Sequence, residues 1–167
     1  MDKFLIHIRR ATLDDLKVIT DIYNNFILKT VATFDTESKT DNQMKKWFND
    51  HGSKYPIMVA ETDDGVVGWA SLSKYSTRCA YSDTAEISVY VKEECQGRGI
   101  GNKLIERILL EGKEAGIHTV LARITDGNKI SIKLHEKHGF FHVGVLKEVG
   151  NKFGRTLDVH LMEKIYR

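Results

Sequence analysis

Apolar side chains fall at helical spacing early in the chain and at strand spacing through its middle, so the order of elements can be read from the period alone. Residues 6–9 read as a short first strand. Thr12 then stands where it can cap a helix, with Asp14 and Asp15 in the first turn, where carboxylates complement the helix dipole. Leu13, Leu16, Ile19, Ile22, Tyr23, Phe26 and Ile27 share one face of that helix, which is therefore expected to be buried. Thr40 followed by Gln43 forms a capping box for a second helix that turns Met44, Trp47 and Phe48 inward. The period then drops to two. Residues 57–62 and 66–72 flank Asp63-Asp64-Gly65, which predicts a hairpin with an aspartate-glycine turn. Residues 78–82 read as a further short edge strand. In 85–91, Ile87, Val89 and Val91 alternate with Glu86, Ser88 and Tyr90, as in a half-buried strand. Ile100, Leu104, Ile108 and Leu109 then form the stripe of a helix that should stop near Gly116. A strand (119–124), a helix (about 129–138) and two strands (141–146 and 156–165) complete the chain.

A central antiparallel part followed by late βαβ units predicts an α/β fold. Its mixed, mostly antiparallel sheet should carry helices on both faces, in a single domain spanning residues 1–167. Composition narrows the function classes. With 167 residues, 41% hydrophobic and 29% charged, the chain is too apolar for disorder, and a net charge of +2 lacks the excess of a general nucleic-acid binder. Cys79 and Cys95 are too few for a disulfide framework, and there is no leader-like or membrane-spanning apolar run, so a cytoplasmic protein that binds neither membrane nor nucleic acid is expected. The seven histidines include no H-E-x-x-H pair, and His135 and His138 stand three apart without a further ligand set, so no metal is expected either.

The chemistry-bearing stretch is Gln96-Gly97-Arg98-Gly99-Ile100-Gly101-Asn102, between a predicted strand and a predicted helix. Glycines let the main chain approach a ligand, and the first N–H groups of the helix point outward with partial positive charge, which makes an anion site suited to a phosphate or diphosphate. Arg98 adds a cation at its rim. A Walker loop fails here because Lys103 is followed by Leu104, and the dinucleotide fingerprint fails because the third glycine stands at 101 rather than 102. The pattern that fits is Q/R-x-x-G-x-G/A. Together with Asn128-x-x-Ser131-x-x-Leu134-His135 and Gly139-Phe140, it resembles the GCN5-related N-acetyltransferase (GNAT) superfamily. The segments 55–60, 67–71, 88–91, 128–140 and 150–155 make the chain most similar to the phosphinothricin (methionine sulfoximine) acetyltransferases of that superfamily.

That resemblance implies a GNAT fold, acetyl-CoA as co-substrate and a homodimer. The strand 85–91 is expected to splay from its parallel neighbour 119–124, leaving the main chain of Val89, Tyr90 and Val91 to pair with the pantetheine arm. The turn Gln96, Gly97, Arg98, Gly99, Ile100, Gly101 and Asn102 would hold the diphosphate, and Asn128 and Ser131 would hold the arm. Glu86 is the implied general base acting through water, with His135 or Tyr90 as proton donor to the leaving thiolate. On the acceptor side stand Phe34, Arg78, Tyr81 and Thr84, with the Arg78 guanidinium suited to an amino acid's carboxylate. Ser76 and Thr156 stand where close relatives often carry a basic residue and a tryptophan. The implied reaction is transfer of an acetyl group by direct attack of the amine of a small amino-acid-like molecule of the phosphinothricin, methionine sulfoximine or methionine sulfone type. The alternatives are a protein N-terminus or another small amine as acceptor, or a coenzyme-binding module without turnover, against which Glu86 argues.

Overall fold

Seven of the eight expected strands form one seven-stranded sheet in the computed structural model of the chain, which describes residues 5–167. The strands are β1 (His7–Arg10), β2 (Ile57–Thr62), β3 (Gly65–Lys74), β4 (Thr84–Val91), β5 (Thr119–Thr125), β6 (Phe141–Lys152) and β7 (Arg155–Ile165). They lie in the order β1-β2-β3-β4-β5-β7-β6. Every neighbouring pair is antiparallel except β4 and β5. Helices α1 (Leu16–Lys29) and α2 (Asp41–His51) cover one face, and α3 (Ile100–Glu114) and α4 (Lys129–Lys137) the other.

Strand parity decides which side chain enters which core. On the α3 side, Met58, Ala60, Ala70, Leu72, Ile87 and Val120 pack under Leu104, Ile105 and Ile108. On the α1–α2 side, Ile57, Val59 and Trp69 meet Ile19, Ile22 and Met44. Full burial of an aliphatic side chain contributes about 1.5–3 kcal/mol, so these two layers carry the sheet. The caps behave as their residue types require. Gln43 N–H donates to Thr40 Oγ1 at 3.2 Å while Thr40 N–H donates to Gln43 Oε1 at 2.9 Å, closing the expected capping box. Gly116, with φ of +83°, ends α3: its N–H reaches Lys113 O at 3.1 Å and Ile117 N–H reaches Gly112 O at 3.0 Å.

Three elements differ from the sequence reading. Residues 78–82 do not form a strand; Cys79–Tyr81 is a single 3₁₀ turn on the way into β4. Leu13 leaves the buried stripe and is 53% exposed, because the chain enters α1 through a 3₁₀ turn (Leu13–Asp15) instead of a continuous helix. Arg9 fixes that turn, donating to both Asp15 carboxylate oxygens at 2.8 and 2.9 Å. β6 runs on to Lys152, well past residue 146, through two irregularities in its register with β7. Alternation is lost where the register shifts, so period alone cannot follow the strand.

Close helix–sheet contact makes one glycine diagnostic. A Cβ at Gly112 would lie 2.3 Å from Cδ1 of Leu72, itself fully buried. Gly112→Ala would gain about 1 kcal/mol of helix propensity, but overpacking costs about 1–3 kcal/mol. A net loss of up to about 2 kcal/mol is expected from urea unfolding with an unchanged slope; a raised midpoint would show that Leu72 yields freely.

Candidate active site

The β4–β5 ladder stops early. Thr84, Ala85 and Glu86 pair with Thr119, Val120 and Leu121, after which the strands diverge although β4 continues to Val91 and β5 to Thr125. Each keeps its outer ladder, to Gly68 of β3 and to Val159 of β7, so the opening leaves the sheet intact on both sides. The inner edges of 87–91 and 122–125 therefore have no strand partner. Between them lies a cavity of about 860 Å³, walled by both edges, the turn before α3, α4 and residues 32–35.

At one end of this cavity the turn into α3 presents its main chain. Gly97 and Gly99 have φ of +75° and +81°, and a Cβ at either would touch nothing within 4 Å. The left-handed backbone, not crowding by the protein, selects glycine there. Gln96 Nε2 donates to Val91 O at 3.1 Å and ties the turn to the end of β4. The first helical hydrogen bond runs from Lys103 N–H to Gly99 O at 3.2 Å, so the preceding amides point out of the helix end. Gln96, Gly97, Gly99, Ile100, Gly101 and Asn102 line the cavity, as do Val89, Tyr90, Val91, Asn128 and Ser131. Arg98 is exposed and is not among the lining residues. Asn128 caps α4, its Oδ1 accepting from Ser131 N–H at 3.2 Å.

His135 also lines the cavity, but its ring is committed elsewhere. Nδ1 lies 2.8 Å from Ser131 O, and a carbonyl can only accept, so Nδ1 carries the proton. Burial pushes the imidazole below its ordinary value, and the ring packs edge-on against Phe140. A neutral ring with its proton on Nδ1 leaves Nε2 bare, so His135 is not arranged as the proton donor expected from the sequence. His51 repeats the motif on α2, with Nδ1 on Trp47 O at 2.7 Å.

The other end is polar. Glu86 Oε2 accepts from Arg123 Nη2 at 2.5 Å, and the bond raises the affinity of Arg123 for its proton. Tyr90 lies on the same strand face, and burial pushes its hydroxyl up to about 12, so it keeps its proton at neutral pH. Beyond it, Tyr23 Oη bonds Thr33 Oγ1 at 3.0 Å and donates to Asp35. Phe34 and Asp35 complete this wall. Arg78, Tyr81 and Thr84 do not line the cavity: Arg78 precedes the exposed 3₁₀ turn, Tyr81 stacks edge-on with Tyr75, and Thr84 is paired with Thr119. Arg123, Tyr23 and Asp35 were missed by the sequence reading. The signal for Arg123 was a lone charge between Ala122 and Ile124 in an otherwise apolar strand. Among the described residues, no cluster of three or more His, Cys, Asp or Glu could hold a metal ion, and no helix is long and apolar enough to cross a membrane.

Residues 8–161 match the family model described as acetyltransferase (GNAT) domain. A Salmonella typhimurium protein named L-methionine sulfoximine/L-methionine sulfone acetyltransferase is 37% identical over 157 residues, which are 93% of this chain and 92% of that protein. The crystal structure of a GNAT superfamily phosphinothricin acetyltransferase from Sinorhizobium meliloti in complex with AcCoA superposes with a TM-score of 0.92 at 33% identity, covering 96% of this chain and 88% of that one. The structure named ribosomal-protein-alanine N-acetyltransferase from Brucella melitensis also gives a TM-score of 0.92, at 36% identity and 96% and 99% coverage.

The buried histidines predict an acid-labile fold. Both His51 and His135 bind protons less readily when folded, burial being the main cause. Below about pH 6.5 the unfolded chain takes up protons that the folded chain refuses, so stability falls with pH by up to about 1.4 kcal/mol per pH unit for each ring. Above that value neither ring contributes to the slope. His135→Gln should remove one ring's share in urea melts between pH 7 and 5; an unaltered slope would show that His135 titrates normally in the fold.

Proposed function

The chain belongs to the GNAT acetyltransferase family, and we propose that it transfers the acetyl group of acetyl-CoA to the amine of a small amino-acid-like molecule of the phosphinothricin, methionine sulfoximine or methionine sulfone type. The observation that carries this reading is the slit itself, with outward-pointing amides at one end and a carboxylate at the other. Its residues fit the coenzyme. Main-chain N–H groups at the head of α3 suit a diphosphate, and the unpaired edge of β4 suits an amide-bearing arm laid alongside as an added strand. Bound acetyl-CoA supplies the activated acyl group.

The protein's part is to bind, orient and move protons. Gln96 and the two left-handed glycines hold the turn open. The β4 edge at Val89, Tyr90 and Val91 aligns the arm toward the point where the strands rejoin. Glu86, where the strands rejoin and with its side chain 23% exposed, takes the proton from the acceptor amine through water. Tyr90, still protonated at neutral pH and lining the same cavity, is the donor available to the departing sulfur. General-base assistance is worth about 10² to 10⁴ in rate.

Two variants separate binding from chemistry. Glu86→Gln should bind acetyl-CoA with little change in Kd while transfer at pH 7, followed by thiol release over a panel of amino acids, slows by about 10²-fold or more; an undiminished rate removes Glu86 as base. Gly99→Val forces a branched side chain into the left-handed region and into the ligand's path, so the Kd for acetyl-CoA should rise at least about tenfold by calorimetry. Unimpaired binding would remove the turn as the diphosphate site, and activity confined to peptide N-termini would overturn the acceptor class.

A further inference from the structure

We infer that Arg123 holds the carboxylate of the acceptor, so that Glu86 and Arg123 together recognise the amine and the carboxylate of one α-amino acid. The inference rests on the acetyl-transfer reading above and names the group that selects its substrate. Among the described residues, Arg123 is the only lysine or arginine lining the cavity. Strand parity places it correctly: Val120, Ala122 and Ile124 pack under α3, which leaves Arg123 on the opposite face, the face carrying Glu86, Ser88 and Tyr90 on β4.

The pair is poorly suited to a structural role. Its side chains are 57% and 23% exposed, and exposed ion pairs add little to stability. It is well suited to recognition. Glu86 occupies Nη2 alone, whereas a guanidinium carries five N–H donors in a planar fork that matches a second carboxylate. An α-amino acid brings an ammonium and a carboxylate separated by one carbon atom. Laid head to tail against the Glu86–Arg123 pair, it satisfies both charges and adds no net charge to the cavity. A plain amine meets Glu86 equally well but brings an uncompensated cation beside Arg123. Arg123 therefore attracts the amino acid and repels the amine that lacks a carboxylate. The other carboxylate of this wall, Asp35, is already engaged by the Tyr23 hydroxyl and by Lys39 at 3.2 Å. Arg78, the sequence-based candidate for this task, lies outside the cavity.

The test compares L-methionine sulfone with 3-(methylsulfonyl)propylamine, the same chain without its carboxylate, in wild type, Arg123→Gln and Arg123→Lys. Wild type should favour the amino acid in kcat/KM. Arg123→Gln should reduce that preference at least tenfold, through a raised KM for the amino acid, and Arg123→Lys should restore part of it. If Arg123→Gln lowers kcat for both acceptors alike and leaves their ratio unchanged, Arg123 serves only to hold Glu86 and the assignment is overturned. A wild type that uses the amine as well as the amino acid overturns it too. Absence of transfer to either acceptor, with no uptake of acetyl-CoA, instead defeats the acetyl-transfer reading on which the assignment stands.

Discussion

Everything in this molecule turns on two parallel strands that pair for three residues and then part. A buried amide without a partner costs about 1–3 kcal/mol, so strands part only where something else can meet the exposed groups. β4 and β5 can do so because each remains fully laddered to its outer neighbour, and because the gap between them opens to a large cavity. Apolar side chains line part of that gap: Ile100 and Ile105 of α3 with Ala122 and Ile124 of β5. The helix that packs below the opening is thus the same helix whose first turn points its amides into it.

Polarity is distributed along the slit accordingly. The N-terminal end of α3 contributes partial positive charge from main-chain amides, which requires no basic side chain. At the opposite end the charges are side chains, and they come as a pair. A wall closes over them from residues 31–35, tied to the sheet twice: Thr125 Oγ1 donates to Val31 O at 2.6 Å, and Lys152 Nζ to Thr33 O at 2.7 Å. Lys152 is buried and burial lowers its affinity for a proton, a cost tolerated where the ammonium fixes the wall. Gly150 belongs to the same arrangement, since a Cβ there would lie 2.2 Å from the Phe34 ring. The β6–β7 hairpin, remote in sequence, therefore shapes the polar end of the slit.

What was legible in the sequence was whatever local rules determine. The capping box at Thr40, the stripe of α3, its glycine stop and the glycine turn all depend on neighbours within a few residues, and each formed where expected. The α/β class and the two helical layers followed from the order of those elements. Local reading failed where a distant contact intervened. Arg9 drew Asp15 into a tight turn and left Leu13 outside, and register shifts against β7 carried β6 further than alternation could show. His135 was legible as a residue facing the cavity, but its tautomer was not, because that depends on the carbonyl one turn earlier in a helix whose exact phase only the fold supplies.

The same distinction explains why the polar end of the slit was the hardest part to read. Arg78 stood out in the sequence because it lies in an irregular stretch rich in tyrosine and cations, yet irregular stretches are commonly solvated and this arginine does not line the cavity. Arg123 sits inside a strand, where a period of two tells which face a side chain takes but not what stands beside it. Its partner is 37 positions earlier, brought alongside by three parallel pairs just before the strands separate. Had the ladder continued for two more residues, Arg123 would have lain against a closed sheet and Glu86 beside a paired neighbour. Because it ends at Glu86, the first side chains past the last pair become the floor of an open site, and a charge pair that would otherwise be ordinary surface chemistry meets whatever the slit admits.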